Sequence, residues 1–515
     1  MTSKRRSSEI IKLSASVPIN VPLRRRSSWS LSEQEPSDNY LSDEDELTPL
    51  ALAEQLTTQR WHEVGNGPHP LCASNNFDVM VDQLSSILAS RVRDLLIYWA
   101  GPLRNPPPSS GRMDYLRLDS ELGDYNLEDS LSNSIRKYVT CIGKLYNHVG
   151  FHSFEHAAHV TISMNKLVSM VTGNRSFRSQ PSQKCSIGIG GDPRISFAMV
   201  FSALIHDVGH TGVPNSVLVE EEDELAILHN DVSVAEQNSL QVAFSMLQKD
   251  EFAQLKRCIC PTPEERKVFR KKVISMVMVT DFSDQERIQI VASRWNAAFP
   301  SCERGVNSNN GEGGTQQPRQ AAPQRPIKKE IQSPEIRESL RRRRFTMFTT
   351  DAAAEEFAND RRSRRLGIRT SMDFSGMLLD AYSNTDQLQQ HAVLETMMNV
   401  ADVAHTMQSF QVFVKWNRRL FKEFYIAHSS DRLSFNPSEN WYENQIGFFT
   451  HYIIPLSKKM KVCGVFGTTG NVFEYFAIEN KKRWTEEGET ISEEIIRDVK
   501  EEVEREQRLR NGCIE

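Results

Sequence analysis

No stretch of this 515-residue chain reaches the ~18 consecutive apolar residues of a membrane-spanning helix. The opening MTSKRRSSEIIKL has charge but no apolar core, so it does not read as a secretory signal. Cysteine is sparse and unpatterned. Cys72, Cys141, Cys185, Cys258, Cys260, Cys302, Cys463 and Cys513 follow no disulfide or zinc-finger rhythm. Such usage suits a reducing compartment. Cys513 lies third from the end, one place off a prenylation box. Strong net charge is also missing. The formal charge is -5 and the pI is near 6.3, which gives no global case for nucleic acid or a membrane surface as partner. The expectation is a soluble, cytoplasmic protein with no membrane span. Alternating strand patterns are nearly absent too. Apolar residues make up 39%, below the usual globular range, so part of the chain is expected to be unfolded.

The length itself suggests roughly two to four domains. Residues 1–60 are rich in Ser, Arg and acids, and NPPPSSGR at 105–112 breaks any helix. Residues 1–110 therefore read as a largely disordered tail and linker. The tail carries KRRSS at 4–8 and LRRRSSW at 23–29. These resemble basophilic kinase sites at Ser7, Ser8, Ser27 and Ser28; a solvated basic tail is the plainer reading. From about 125 the apolar spacing turns helical, in SIRKYVTCIGKLYNHV, RISFAMVFSALI, HAVLETMMNVADVAHTM and FQVFVKWNRRLFKEFYIAH among others. The pattern predicts an all-α, compact multi-helix bundle over 115–490. Residues 301–370 interrupt it with a Gly/Gln/Pro-rich stretch and then RRRRF and DRRSRRLGIRTS. Helical spacing resumes at once, so this reads as a flexible basic insertion rather than a domain boundary. Residues 491–515 read as a charged amphipathic helix with Ile495, Val499 and Val503 on one face.

Three apolar helices end in, or carry, groups able to bind a metal. FHSFEHAAHV places His152 and His156 four residues apart, on one helix face. FSALIHDVGHTG runs into His206, Asp207 and His210. MMNVADVAHTM holds a single acid, Asp402, in an apolar helix. An unpaired carboxylate among apolar groups is costly. A cation relieves that cost where imidazoles and carboxylates of different helices meet, as bundle interiors allow.

These segments, with HNDVSVAEQNSL, VMVTDF and NQIGFFTHYIIPL, occur in the order found in class I cyclic nucleotide phosphodiesterase catalytic domains. The chain resembles that family over roughly 125–485, outside the insertion. The resemblance implies about sixteen helices around a two-metal pocket. It makes His156, His206, Asp207 and Asp402 the ligands of one metal, usually zinc. Asp207 bridges to a second, usually magnesium (or manganese), with His210, Glu236 and Thr280 supporting its waters. His152 matches the general acid. Gln445 matches the glutamine that binds the base, and Phe448 and Leu420 match the apolar clamp on its faces. The implied activity is metal-dependent hydrolysis of cAMP and/or cGMP to the 5′-monophosphate, with the cyclic nucleotide as the small-molecule partner. The cations would neutralise the phosphodiester and acidify a water, and His152 would protonate the O3′ leaving group.

The chain departs from the family pattern at Ser153, where Asn is common. It has HDVGH for HDxDH, so Gly209 replaces a carboxylate. Gln237, Asn238 and Ser239 stand where many members have histidines. His159 reads as structural. No position emerges for the carboxylate that should orient His152. Two rival readings are another HD-type nucleotide phosphohydrolase and a catalytically inactive, nucleotide-binding scaffold. The first has no use for Gln445 and Phe448, and the second would tolerate loss of His152 or a ligand. Oligomeric state and base preference are not legible, since a glutamine amide can present donor or acceptor to either base.

Overall fold

A computed structural model describes residues 74–100, 127, 129–173, 189, 191–300 and 385–512. The basic serines of the tail and the insertion at 301–370 lie outside the described residues. Among the described residues every regular element is helical and there is no strand, as the periodicity requires. None of these helices is long and apolar enough to cross a membrane.

One difference comes at the start. Residues 74–100, expected to belong to a largely disordered 1–110 segment, form helix α1 (Ser74–Ala100). Val81, Leu84, Leu88, Val92 and Leu95 recur at spacings of three and four and are all buried. Each such side chain stabilises by ~1.5–3 kcal/mol when fully buried. The segment therefore has enough apolar surface to dock on α2 (Asp129–Gly143), α3 (Phe154–Gly173) and α4 (Pro193–Ile205).

Helix α4 is the centre of the bundle. Asp192 caps it by accepting from the Arg194 backbone N–H, and Pro193 occupies its first turn. All residues from Ile195 to Ile205 are buried, so the helix is apolar on every side. It packs on α1, α3, α9 (Pro263–Met278) and α11 (Thr385–Asp402). Helices α5 (Asn215–Glu220), α6 (Glu224–Leu228), α7 (Val234–Gln248) and α8 (Ala253–Ile259) lead to α9. Helix α10 (Gln285–Ala298) then lies against α11. A buried Arg294–Glu395 ion pair joins these two, with His391 Nε2 3.2 Å from the same carboxylate. The Gln389 side-chain amide donates to the Ala298 carbonyl at 3.0 Å. The chain thus leaves α10 and re-enters α11 at nearly one place.

Helix α12 (Phe410–Ser429) is followed by α13 (Trp441–Phe448), a π-helical turn (Phe449–Ile453), α14 (Ile454–Val462) and α15 (Gly470–Gly512). The 491–512 segment is the second half of α15, not a separate helix. Its Ile495, Val499 and Val503 form the expected stripe and pack with Phe421 and Trp441. Arg418 and Lys422 of α12 reach Glu502 at 2.7 and 2.9 Å, flanking that seam with charge.

Candidate functional site

The apolar helix α4 ends at His206 because its last turn delivers His206 and Asp207 to a shared pocket. His156 comes from the third position of α3, and Asp402 is the last residue of α11. One ligand atom from each of His156, His206, Asp207 and Asp402 lies within 4.8 Å of the others, and all four residues are buried. His156 Nε2 is 3.0 Å from Asp402 Oδ1, and His206 Nε2 is 3.0 Å from Asp207 Oδ2.

This donor set fits a divalent cation. His206 Nδ1 faces the Ala203 carbonyl at 3.0 Å, which turns Nε2 toward the pocket. His206 Nε2 and Asp207 Oδ2 are buried and make no hydrogen bond despite their proximity. Both atoms belong to the group of four ligand atoms that lie within 4.8 Å of one another. Burial would raise both acids, but His206 beside Asp207 and His156 beside Asp402 hold them well below the usual carboxylate range. Burial likewise opposes a proton on His206, and the charge of Asp207 overrides it and raises the imidazole well above its ordinary value. A cation would displace that proton and take over its work.

His152 stands apart. It precedes the first residue of α3, Phe154, so it does not share a helix face with His156 as the spacing suggested. A carboxylate from α12 accounts for this. Glu423, buried, accepts the backbone N–H groups of Phe151 and His152 at 2.7 and 3.0 Å through Oε2. Its Oε1 lies 2.6 Å from His152 Nδ1. Glu423 is the orienting group that the sequence did not reveal. Burial alone would lower His152, and the charge and hydrogen bond of Glu423 overcome that and carry it up to about 9. Burial likewise opposes the charge on Glu423, which the His152 imidazolium pulls down to about 2. The His152 and His210 rings stack at 3.9 Å. Burial and the charge of His152 pull His210 down to about 4, so one ring of the stack carries the proton.

Glu236, on α7, accepts from the Asn215 side-chain amide at 3.0 Å, and the same nitrogen reaches Asp281 at 3.4 Å. Burial and the charge of Asp281 push Glu236 up to about 8. Thr280 spends its hydroxyl proton on the Val277 carbonyl at 2.8 Å. Gln445 is buried on α13, whose first residue, Trp441, donates through Nε1 to Asn417 at 2.9 Å. Phe448 stacks on Tyr452 at 5.5 Å. Leu420 packs in a different apolar cluster, with Phe421 and Trp441. His159 lies outside the four-ligand group; it meets the Gln408 side chain at 3.2 Å and the Trp416 ring at 5.4 Å. Burial and nearby His156 pull it down to about 4.

The departures at 209 and 237–239 belong together. Gly209 has φ +81°, and a Cβ there would sit 2.8 Å from Asn238 Nδ2. Ser239 donates to the carbonyls of Val208 at 3.0 Å and Ala235 at 2.9 Å. Asn238 and Ser239 thus brace the HDVGH turn, and the missing side chain at 209 makes room for them. Gly209→Ala is expected to destabilise the fold by about 1–3 kcal/mol through left-handed strain and this clash. Adding Asn238→Ala should recover the clash portion only. Thermal melting of the single and double variants checks this, and an unchanged melt for Gly209→Ala would refute the packing.

A family model described as 3'5'-cyclic nucleotide phosphodiesterase matches residues 151–464. A probable 3',5'-cyclic-AMP phosphodiesterase of Caenorhabditis elegans is 36% identical over 149 residues, 28% of this chain and 19% of that protein. A dual specificity calcium/calmodulin-dependent 3',5'-cyclic nucleotide phosphodiesterase of Mus musculus is 34% identical over 133 residues, 26% of this chain and 17% of that protein. The matched stretch therefore spans less than a fifth of either relative. The solved phosphodiesterase domain of a Salpingoeca rosetta rhodopsin phosphodiesterase is 16% identical, with a TM-score of 0.47 over 88% of this chain and 97% of that one.

Proposed function

Since the chain belongs to the 3'5'-cyclic nucleotide phosphodiesterase family, we propose that it hydrolyses cAMP and/or cGMP to the nucleoside 5′-monophosphate with two divalent cations. The observation that carries this reading is the His152–Glu423 pair beside a buried four-ligand cluster. His156, His206, Asp207 and Asp402 would hold zinc. Asp207 would share a second ion, magnesium or manganese, with His210, Glu236 and Thr280 around its waters. When bound, these cations supply neutralisation of the phosphodiester charge and an acidified water.

The chain's own residues do the rest. Glu423 engages Nδ1 of His152 and leaves Nε2 as the nitrogen free to face substrate. The raised proton affinity of His152 keeps Nε2 protonated at neutral pH, ready to protonate the departing O3′ oxygen. The low affinity of Glu423 keeps it ionised throughout, so it stabilises the imidazolium and holds the ring in place. Gln445 would pair with an edge of the base, and Phe448 and Leu420 would cover its faces.

The test is hydrolysis of cAMP and cGMP by the full chain with and without chelator. Chelator-sensitive release of 5′-monophosphate is expected. Binding of cyclic nucleotide and metal without hydrolysis would favour a scaffold instead. Gln445→Ala and Phe448→Ala should each weaken nucleotide binding by roughly 1–3 kcal/mol while leaving metal content unchanged. Loss of metal with intact nucleotide affinity would refute the base-site assignment.

A further inference from the structure

Asn215, the first residue of α5, lies five positions beyond His210, on the run that also carries His206 and Asp207. Its side chain has three partners. The backbone N–H of Ala235, the second residue of α7, donates to Asn215 Oδ1 at 2.9 Å. A backbone N–H can donate only to the amide oxygen, so this bond fixes which way the amide points. Nδ2 is thereby turned toward two acids. It donates to Glu236 Oε2 at 3.0 Å and reaches Asp281 Oδ2 at 3.4 Å. An amide nitrogen carries two hydrogens, one for each carboxylate.

The two acids are held differently. Asp281 is anchored without Asn215. Its Oδ1 accepts from the backbone N–H and the hydroxyl of Ser283 at 2.9 and 2.6 Å, and from the Asp284 N–H at 3.2 Å. Glu236 has no such second anchor: among the described residues no other side chain donates to its carboxylate. Two acids this close oppose each other's charge, and the amide that donates to both offsets that opposition. Asn215 also serves α7 as a cap from outside, because Ser233, with φ +44°, offers the helix no side-chain cap. Capping uses only Oδ1, however, and does not account for an amide nitrogen set between two carboxylates.

We propose that Asn215 is a positioning residue for the second cation, holding the Glu236 carboxylate in place beside Asp281 and thereby setting the affinity for that ion. The proposal rests on the two-cation reading above. Asn215 is not among the four clustered ligands, so the first ion should be indifferent to it. Loss of a group that orients a metal-supporting residue typically costs about ten- to a hundred-fold in metal affinity.

The probe is Mn2+, titrated into the zinc-loaded full chain well below its melting temperature and followed by the electron paramagnetic resonance of the free ion. The parent should bind Mn2+ beyond its zinc. Asn215→Ala is expected to weaken that binding about ten- to a hundred-fold, with zinc content unchanged. Glu236→Gln should weaken it to a similar degree. The double variant decides whether Asn215 acts through Glu236. If it does, the double variant binds Mn2+ within about two-fold of the weaker single variant. A residue that only capped α7 would lower the melting temperature and leave Mn2+ at parent affinity. If Asn215→Ala fails to fold, Asn215→Ser, which keeps an oxygen for α7 but not the amide nitrogen, takes its place in the same comparison. Parent-like Mn2+ affinity in the Asn215 variant, or losses that multiply in the double variant, would overturn the proposal and leave the two-cation reading standing. A parent that binds no Mn2+ beyond its zinc would overturn both.

Discussion

His152→Ala is expected to lower cyclic nucleotide turnover by ~10²–10⁴, the usual range for a lost general acid. Metal content should stay at the parent level, because His152 is not among the four clustered ligands. The melting temperature should fall, however. Glu423 is 3% exposed, and without His152 it keeps only its two backbone N–H partners. A buried charge stripped of its partner typically costs about 3–5 kcal/mol. Adding Glu423→Gln removes the orphaned charge, so the double variant should melt near the parent and remain as slow as His152→Ala. A double variant that regained turnover would rule out His152 as the acid.

Glu423→Gln alone tests the electrostatics. If His152 is the proposed acid, the active form carries a proton on its Nε2, and that proton is lost as pH rises through the group's pKa. Glu423 is what lifts that pKa to about 9 against burial. Without the carboxylate, only the charges of Asp207 and Asp402 still oppose burial, and the pKa falls. The alkaline limb of the turnover profile should therefore move toward acid, by roughly one to three units. An unmoved alkaline limb would mean that another group sets it.

Asp402→Ala should fail differently. Asp402 ends α11 and meets His156 of α3 at 3.0 Å and His206 of α4 at 3.3 Å. Its loss removes an anionic ligand and the tie among three helices. Metal occupancy should drop sharply, and turnover with it. Metal bound only by the folded state stabilises that state by ~2.7 kcal/mol at a hundred-fold excess over Kd. The parent should thus melt lower after chelation, whereas Asp402→Ala should melt alike with and without chelator. Full metal content in this variant would remove Asp402 from the ligand set.

Much of this was legible in the residues. Apolar spacing marked α2, α3, α7, α9, α11, α12, α14 and the second half of α15, and a mostly apolar run marked α4; α5, α6, α8 and α10 were not marked. The four clustered residues stood out because charge is rare in apolar helices, and Asp402 in MMNVADVAHTM is the clearest case. Glu423 was harder. In WNRRLFKEFYIAH it sits among arginines and lysines and resembles one more solvated charge. The usable signal was its place two turns after Trp416, on the face that Trp416 buries. Helix α1 was overlooked because the Ser-, Arg- and acid-rich character of residues 1–60 was extended across it, although most of its residues are apolar. The start of α3 after His152 depended on a contact with a residue more than 250 positions away, which no local pattern encodes.

The meeting of α10 and α11 at Ala298 and Gln389 has a consequence for connectivity. These two helices meet at Ala298 and Gln389, and the buried Arg294–Glu395 pair joins them. A chain cut after α10 would yield two polypeptides. The first would hold His156, His206 and Asp207, and the second Asp402, Glu423 and Gln445. Neither fragment alone would own a complete metal cluster or a complete acid, and the cation would sit at their shared boundary. Reassembly and metal loading would then be one event, so the protein could be run as a split enzyme whose two halves report on divalent metal.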